Sequence, residues 1–207
     1  MIFTKNNVRK YSLLIFLVFF TIRAFSQTEN VTSRLYFPGL VGINLHLYDQ
    51  HQHYKRGFVL NTAMEYRPDD KPLFFRFNYD GVSSNYKSDP GLYQQTNVQN
   101  GTLHVNYFIA GLGYRKRVKG LGWYFLGQTG LEQRNYDHVS GNAAGYAISQ
   151  ISKKQLAFKL AGGFEYYLAQ HFALVTEPAY YPNLVNHRYS SSNGNLTLSV
   201  GFTTTLF

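Results

Sequence analysis

The sequence has no cysteine among its 207 residues. Thiol catalysis, zinc–thiolate centres and disulfide staples are therefore excluded. A chain of this length without disulfides draws its stability from another source, and a sheet closed on itself in lipid is one. No glycine-rich phosphate-binding motif of the Walker or dinucleotide type is present. Beyond residue 26, no apolar run approaches the roughly 18 residues that a membrane helix requires. Tryptophan occurs once, whereas 18 Tyr and 17 Phe raise the aromatic share to 17 %. Many rings with no long apolar run suit strands that alternate between lipid and a polar interior.

Acidic residues are also scarce, at 11 against 20 Lys and Arg, and the first 26 residues hold none of them. That segment carries Lys5, Arg9 and Lys10, then the 12-residue apolar run Tyr11 to Ile22, then Ala24-Phe25-Ser26. A basic start, a short apolar stretch and small residues at the peptidase positions predict a signal peptide over 1–26, cleaved before Gln27. A retained anchor is the alternative, against which the short run and Arg23 argue. Cleavage removes Lys5, Arg9, Lys10 and Arg23, leaving 16 basic residues against 11 acidic ones and a balance of +5. The remaining charge is scattered and does not form a stripe, so nucleic acid is not expected as a partner. Residues 27–207 are long enough for one domain.

That domain shows period-2 alternation again and again. Segment 35–48 sets Val41, Ile43, Leu45 and Leu47 against Gly42, Asn44, His46 and Tyr48. Segment 57–67 sets Phe58, Leu60, Met64 and Tyr66 against Val59, Asn61, Glu65 and Arg67; in 72–82, Leu73, Phe75, Phe77 and Tyr79 alternate with Phe74, Arg76, Asn78 and Asp80. Further strands are expected at 102–117, 122–134, 155–168, 171–181 and 195–207. In the fourth, the stretch AGLGYRKR loses the phase, which predicts a bulge or a glycine bend. The connections at 68–71, 118–121 and 169–170 are tight, and those at 49–56, 83–101, 135–154 and 182–194 are longer and polar. Short turns alternating with longer loops are the pattern of outer-membrane barrels, with both termini on the periplasmic side and an even strand number. The expected fold is all-β, an eight-stranded antiparallel up-and-down transmembrane barrel in the outer membrane of a Gram-negative cell.

The wording of the chain then resembles a family. The signal ends in Phe25-Ser26-Gln27, Gly162 to Leu184 reads GGFEYYLAQHFALVTEPAYYPNL, and the last strand ends at Phe207. These features, with Glu177-Pro178-Ala179-Tyr180-Tyr181 at their centre, resemble the small porin-like outer-membrane β-barrel proteins of Bacteroidota. The resemblance implies a fold and a location and little about a ligand. The terminal aromatic Phe207 also resembles the signal that the barrel-assembly machinery reads, although its same-face neighbours are Thr205, Thr203 and Gly201.

Glu65, Arg76, Asp80, Glu132, Arg134, Lys159, Glu165 and Glu177 fall on the inward face of this arrangement. Paired carboxylates can serve acid–base chemistry. An eight-stranded barrel has an interior just filled by side chains, however, and charges buried there must be paired. The reading is a structural ion-pair network that fills the lumen. His51 and His53, with His46 and Asp49 nearby, lack fixed third and fourth ligands, so no metal and no cofactor is expected. The runner-up function is a lipid-modifying enzyme: His187, followed by Ser190, Ser191 and Ser192, resembles the arrangement of a lipid A deacylase barrel. The spacing is one residue too long for that family, and no Asp or Glu follows Glu177 to orient the histidine. Tyr66, Tyr79, Tyr107, Trp123, Tyr166 and Phe172 are expected at headgroup level; the competing reading of the aromatics is a sugar-stacking platform formed by Tyr86, Tyr93, Tyr136 and Tyr146 of the loops. The expected protein is a non-enzymatic monomer that displays loops for envelope integrity, adhesion or surface recognition. Its partners are outer-membrane lipid, lipopolysaccharide and, during biogenesis, the assembly machinery. A narrow pore and a soluble lipocalin-like barrel are the remaining alternatives.

Overall fold

A computed structural model of the chain describes residues 34–46, 53–54, 56–68, 71–87, 100–142, 145–182 and 194–205. Among them are eight long strands: β1 (Leu35–His46), β2 (Gly57–Tyr66), β3 (Leu73–Lys87), β4 (Asn100–Val118), β5 (Leu121–Asn142), β6 (Gly145–Ala169), β7 (Phe172–Tyr181) and β8 (Asn195–Thr205). Each pairs antiparallel with the next, and β8 returns to β1 from Tyr36↔Thr205 to His46↔Asn195. The sheet is thus a closed barrel without a free edge along its wall, which removes the exposed backbone groups that lipid cannot satisfy. His53–Tyr54 adds a two-residue ladder against Tyr86–Lys87.

The alternation in the sequence becomes an inside and an outside. Outward-facing Ile43, Leu60, Phe77, Leu112, Phe125, Leu160, Phe164 and Val200 are all exposed, whereas Asn44, Asn61, Glu65, Asn78, Gln128, Lys159 and Glu177 are buried inside. This reverses a soluble barrel, whose apolar side faces inward. On β6 the outward apolar residues run from Leu156 to Tyr166. Ten residue steps at ~3.3 Å, on strands tilted by ~40°, rise about 25 Å, the height of a lipid-facing belt. The strand ends joined by the short connections (Tyr66 and Leu73, Val118 and Leu121, Ala169 and Phe172) lie at one end, together with the start of β1 and the end of β8.

Three sequence expectations need correction. Of the bulge or glycine bend expected in the second half of β4, the bulge is absent: the strand pairs with β3 and β5 without a register shift, from Ala110↔Thr129 to Val118↔Leu121 on the β5 side. Hydrophobicity lost its phase there because the inward positions change from aliphatic residues to Gly111, Gly113, Arg115 and Arg117 while the backbone continues unbroken. The long loop expected at 135–154 is mostly ladder, with β5 and β6 paired out to Asn142↔Gly145. This hairpin carries Tyr136 and Tyr146 and extends past β4, whose pairing with β5 reaches only His104↔Asn135. The loop expected from residue 83 begins later, since β3 continues to Lys87 and includes Tyr86. The proposed signal segment, Asp49, His51, Tyr93, His187, Ser190 to Ser192 and Phe207 lie outside the described residues.

Candidate functional site

The lumen is the one place where chemistry-bearing side chains converge among the described residues. Inward positions of β2 supply Asn61 and Glu65, with Arg67 just beyond its end; β3 supplies Arg76, Asn78 and Asp80. Arg115 comes from β4, Tyr124 and Gln128 from β5, Lys159 and Glu165 from β6, and Glu177 and Tyr181 from β7. The strand period of two aims each of these residues at the barrel axis.

Their charges alternate along a continuous path. Arg115 meets Glu165 at 2.8 Å and Arg67 meets the same carboxylate at 2.9 Å. Arg67 also pairs with Glu65. Glu65 is 2.6 Å from Arg76, and Arg76 is 2.7 Å from Glu177. Lys159 then bridges Glu177 and Asp80, at 3.0 Å to each. Arg76, Lys159 and the four carboxylates are no more than 1 % exposed. Each buried carboxylate has a cation beside it, the condition under which buried charge is tolerated.

Neutral groups complete the path. The Tyr124 hydroxyl donates to Glu177 at 2.5 Å, the Tyr181 hydroxyl to Asp80 at 2.7 Å, and the Tyr167 hydroxyl to Glu165 at 2.6 Å. Asn61 donates to Glu177, Asn78 to Asn61 and Asp80, and Gln128 to Asn78. Aromatic faces cover the guanidinium groups: Arg67 lies 3.4 Å over the Tyr36 ring, Arg117 3.7 Å over Tyr167, and Arg76 4.6 Å over Tyr124. Toward the long-loop end an aliphatic layer follows, including Val59, Val82, Leu103 and Val105.

Of the eight charges assigned inward from the sequence, Glu65, Arg76, Asp80, Lys159, Glu165 and Glu177 are brought into this path. Glu132 and Arg134 form a separate pair at 2.6 Å toward the long-loop end, with Gln155 donating to Glu132 at 3.0 Å. Sequence reasoning omitted Arg67 and Arg115, which hold the path at the short-turn end. Arg67 stands two residues from Glu65 on the same face, so alternation alone was enough to include it. Arg115 was hidden by the expected bulge. Tyr107, expected at the membrane surface, is buried in the lumen instead, with its ring 4.6 Å from that of Tyr181. Its inward position follows from the phase of Leu103, Val105 and Ile109. Tyr66, Trp123, Tyr166 and Phe172 do face outward.

The outer surface is therefore apolar and the interior ionic and closed, the inside-out arrangement of a transmembrane barrel. Solved structures align with this chain over most of its length. Neisserial surface protein A (NspA) superposes with a TM-score of 0.54 at 14 % identity, covering 84 % of this chain and 98 % of that one. The N-terminal β-barrel domain of Pseudomonas aeruginosa OprF aligns at 13 % identity over 84 % of this chain and 98 % of its own, with a TM-score of 0.43. Ail, the attachment invasion locus protein of Yersinia pestis, aligns at 14 % identity over 83 % and 97 %, with a TM-score of 0.44. No protein-family model and no curated protein matches the chain. The likeness to NspA establishes the fold, a closed antiparallel eight-stranded barrel.

Chemically, this interior neutralises and excludes. The carboxylates that a sequence reading can cast as acid and base are each committed to Arg or Lys. Among the described residues, no group of His, Asp and Glu is placed to hold a metal ion.

Proposed function

We propose that the protein is a monomeric, non-enzymatic barrel of the outer membrane, in which the lumen is a structural core and the long-loop end serves recognition, adhesion or envelope integrity. The observation that carries this is the unbroken alternation of charge from Arg115 to Asp80 across the lumen. A solute crossing the barrel would have to break several buried pairs at once. The outward apolar belt supports residence in a bilayer, and the fold shared with a neisserial surface protein supports display at the cell surface. The barrel would meet outer-membrane lipid and lipopolysaccharide along its wall and the assembly machinery during insertion. The Glu177-Pro178-Ala179-Tyr180-Tyr181 wording favours an origin in Bacteroidota.

Cell fractionation, heat-modifiable gel migration and planar-bilayer recording test this together. The expected protein resists carbonate extraction, migrates differently before and after boiling, and is electrically silent. Release by carbonate would mean a soluble barrel, and a steady ohmic conductance would mean a pore. Lipid A mass spectra should be the same with and without expression. An acyl change abolished by His187→Ala would replace this reading with an enzymatic one.

A further inference from the structure

The outer wall is not uniformly filled. Between β3, β4, β5 and β6 it carries a groove of about 500 Å³. Its walls are Leu73, Leu112, Tyr114, Phe125 and Leu160, and its floor is Gly127. Gly127 faces outward where its neighbours in register, Leu112 and Leu160, carry full side chains, so the missing side chain makes the depression. The groove runs from mid-belt, at Leu112, Gly127 and Leu160, to Leu73 and Tyr114 at the short-turn end.

What flanks it points to an occupant. Two residues from Tyr114 toward the β4–β5 turn, on the same outward face, stands exposed Lys116, paired in register with Trp123. The Trp123 ring is 5.8 Å from Tyr114 and 5.6 Å from Phe125, an aromatic step from the lysine to the groove. Exposed Lys71 adjoins this rim, because the Arg115 N–H donates to the Pro72 carbonyl at 2.7 Å. Asp69 and Asp70 precede it in sequence, outside the described residues. Tryptophan and tyrosine prefer the headgroup region, and lysine there draws anionic phosphate.

We propose that this groove holds one acyl chain of an anionic phospholipid from the leaflet at the short-turn end, with the phosphate at Lys71 and Lys116. The inference rests on the membrane-spanning reading above and adds a defined lipid site to it. An apolar slot continuous with an aromatic and cationic rim matches the order of chain, glycerol region and phosphate in such a lipid. A second copy of the barrel would fill the apolar slot but would leave the lysine rim without a counter-charge.

Gly127→Phe is the informative variant, since a Cβ at Gly127 would meet only Leu160 Cδ2 at 3.9 Å, an ordinary contact. The full chain is extracted from membranes in mild detergent, and phosphatidylglycerol and phosphatidylethanolamine are titrated onto delipidated barrel by native mass spectrometry. The expected wild type retains one phosphatidylglycerol. Gly127→Phe should weaken retention tenfold or more, and Lys71→Gln with Lys116→Gln should weaken phosphatidylglycerol several-fold and phosphatidylethanolamine little. Val200→Phe, on the opposite wall, should change nothing. Equal retention by wild type and Gly127→Phe overturns the site, as does a dimer in wild type that this substitution abolishes. Heat-modifiable migration confirms that each variant is folded. A chain absent from the membrane fraction would instead overturn the membrane reading.

Discussion

Arg76 and Glu177, 101 residues apart in sequence, are joined inside the barrel by a bond of 2.7 Å from Nη1 to Oε2. The contact links β3 to β7, which are not neighbours in the sheet. Glu177 also accepts from Tyr124 and Asn61 and pairs with Lys159. It is thus a cross-brace that the backbone ladder cannot supply.

Replacing Glu177 with Ala leaves Arg76 and Lys159 buried with one carboxylate fewer between them. Breaking a buried pair by removing one partner costs about 3–5 kcal/mol. Urea unfolding in phospholipid vesicles, followed by fluorescence of the single Trp123, should show a loss of that size. Glu132→Ala should cost less, about 1–3 kcal/mol, because the Glu132–Arg134 pair lies outside the main path and its arginine is less deeply enclosed. Equal effects at the two sites would mean that the path has no special role.

The Lys159–Asp80 contact predicts a coupling. Each group is fully buried, and Asp80 also accepts from Tyr181. Lys159→Met and Asp80→Asn should each destabilise the barrel by about 3 kcal/mol. The double variant should cost less than their sum by about 1–3 kcal/mol, since neither charge is then left alone. Strict additivity in the same vesicle assay would show that the two groups do not act as a pair.

Much of this interior was legible beforehand because a strand has only two faces. Once Phe75 and Phe77 are placed in lipid, Arg76, Asn78 and Asp80 have only the lumen to enter, and the same logic places Lys159 and Glu177. The partners of these groups were not legible. Which cation meets which carboxylate depends on barrel closure and on register between distant strands, as with Arg76 and Glu177. Hydropathy also misled where it stood in for phase. Val105 and Tyr107 form an apolar inward face on β4, while polar His104 and Asn106 face outward near the long-loop end. Polar content likewise predicted a loop at 135–154, although a two-stranded ladder can be polar on both faces once it rises past the lipid belt.

The β4–β5 turn carries a local strain that can be relieved. Lys119 has a φ of 56°, in the left-handed region that costs a residue with a Cβ roughly 1 kcal/mol or more. Its carbonyl accepts from Arg117 Nε at 3.0 Å, a bond that does not need the lysine side chain. Lys119→Gly should therefore stabilise the barrel by about 0.5–1 kcal/mol, after the greater entropy of glycine in the unfolded chain is allowed for. A decrease in the urea midpoint would contradict this.

Two adjacent glycines on β6 should respond very unequally to the same substitution. A Cβ on inward-facing Gly163 would overlap the Tyr124 ring, whereas one on outward-facing Gly162 would meet Phe125 at an ordinary 3.5 Å. Tyr124 cannot give way freely, because its hydroxyl is held 2.5 Å from Glu177 and its ring lies 4.6 Å beneath the Arg76 guanidinium. Gly163→Ala thus forces a choice between overpacking and loss of the Tyr124–Glu177 bond, and either costs about 1–3 kcal/mol. Gly162→Ala should fall within about 0.5 kcal/mol of the parent, as surface changes usually do. Tyr124→Phe separates the two routes. If overpacking dominates, Gly163→Ala remains costly in the Tyr124→Phe background; if the lost bond dominates, the penalty largely disappears there. Equal and small effects of alanine at both positions would show that the ring of Tyr124 does not occupy the space beside Gly163.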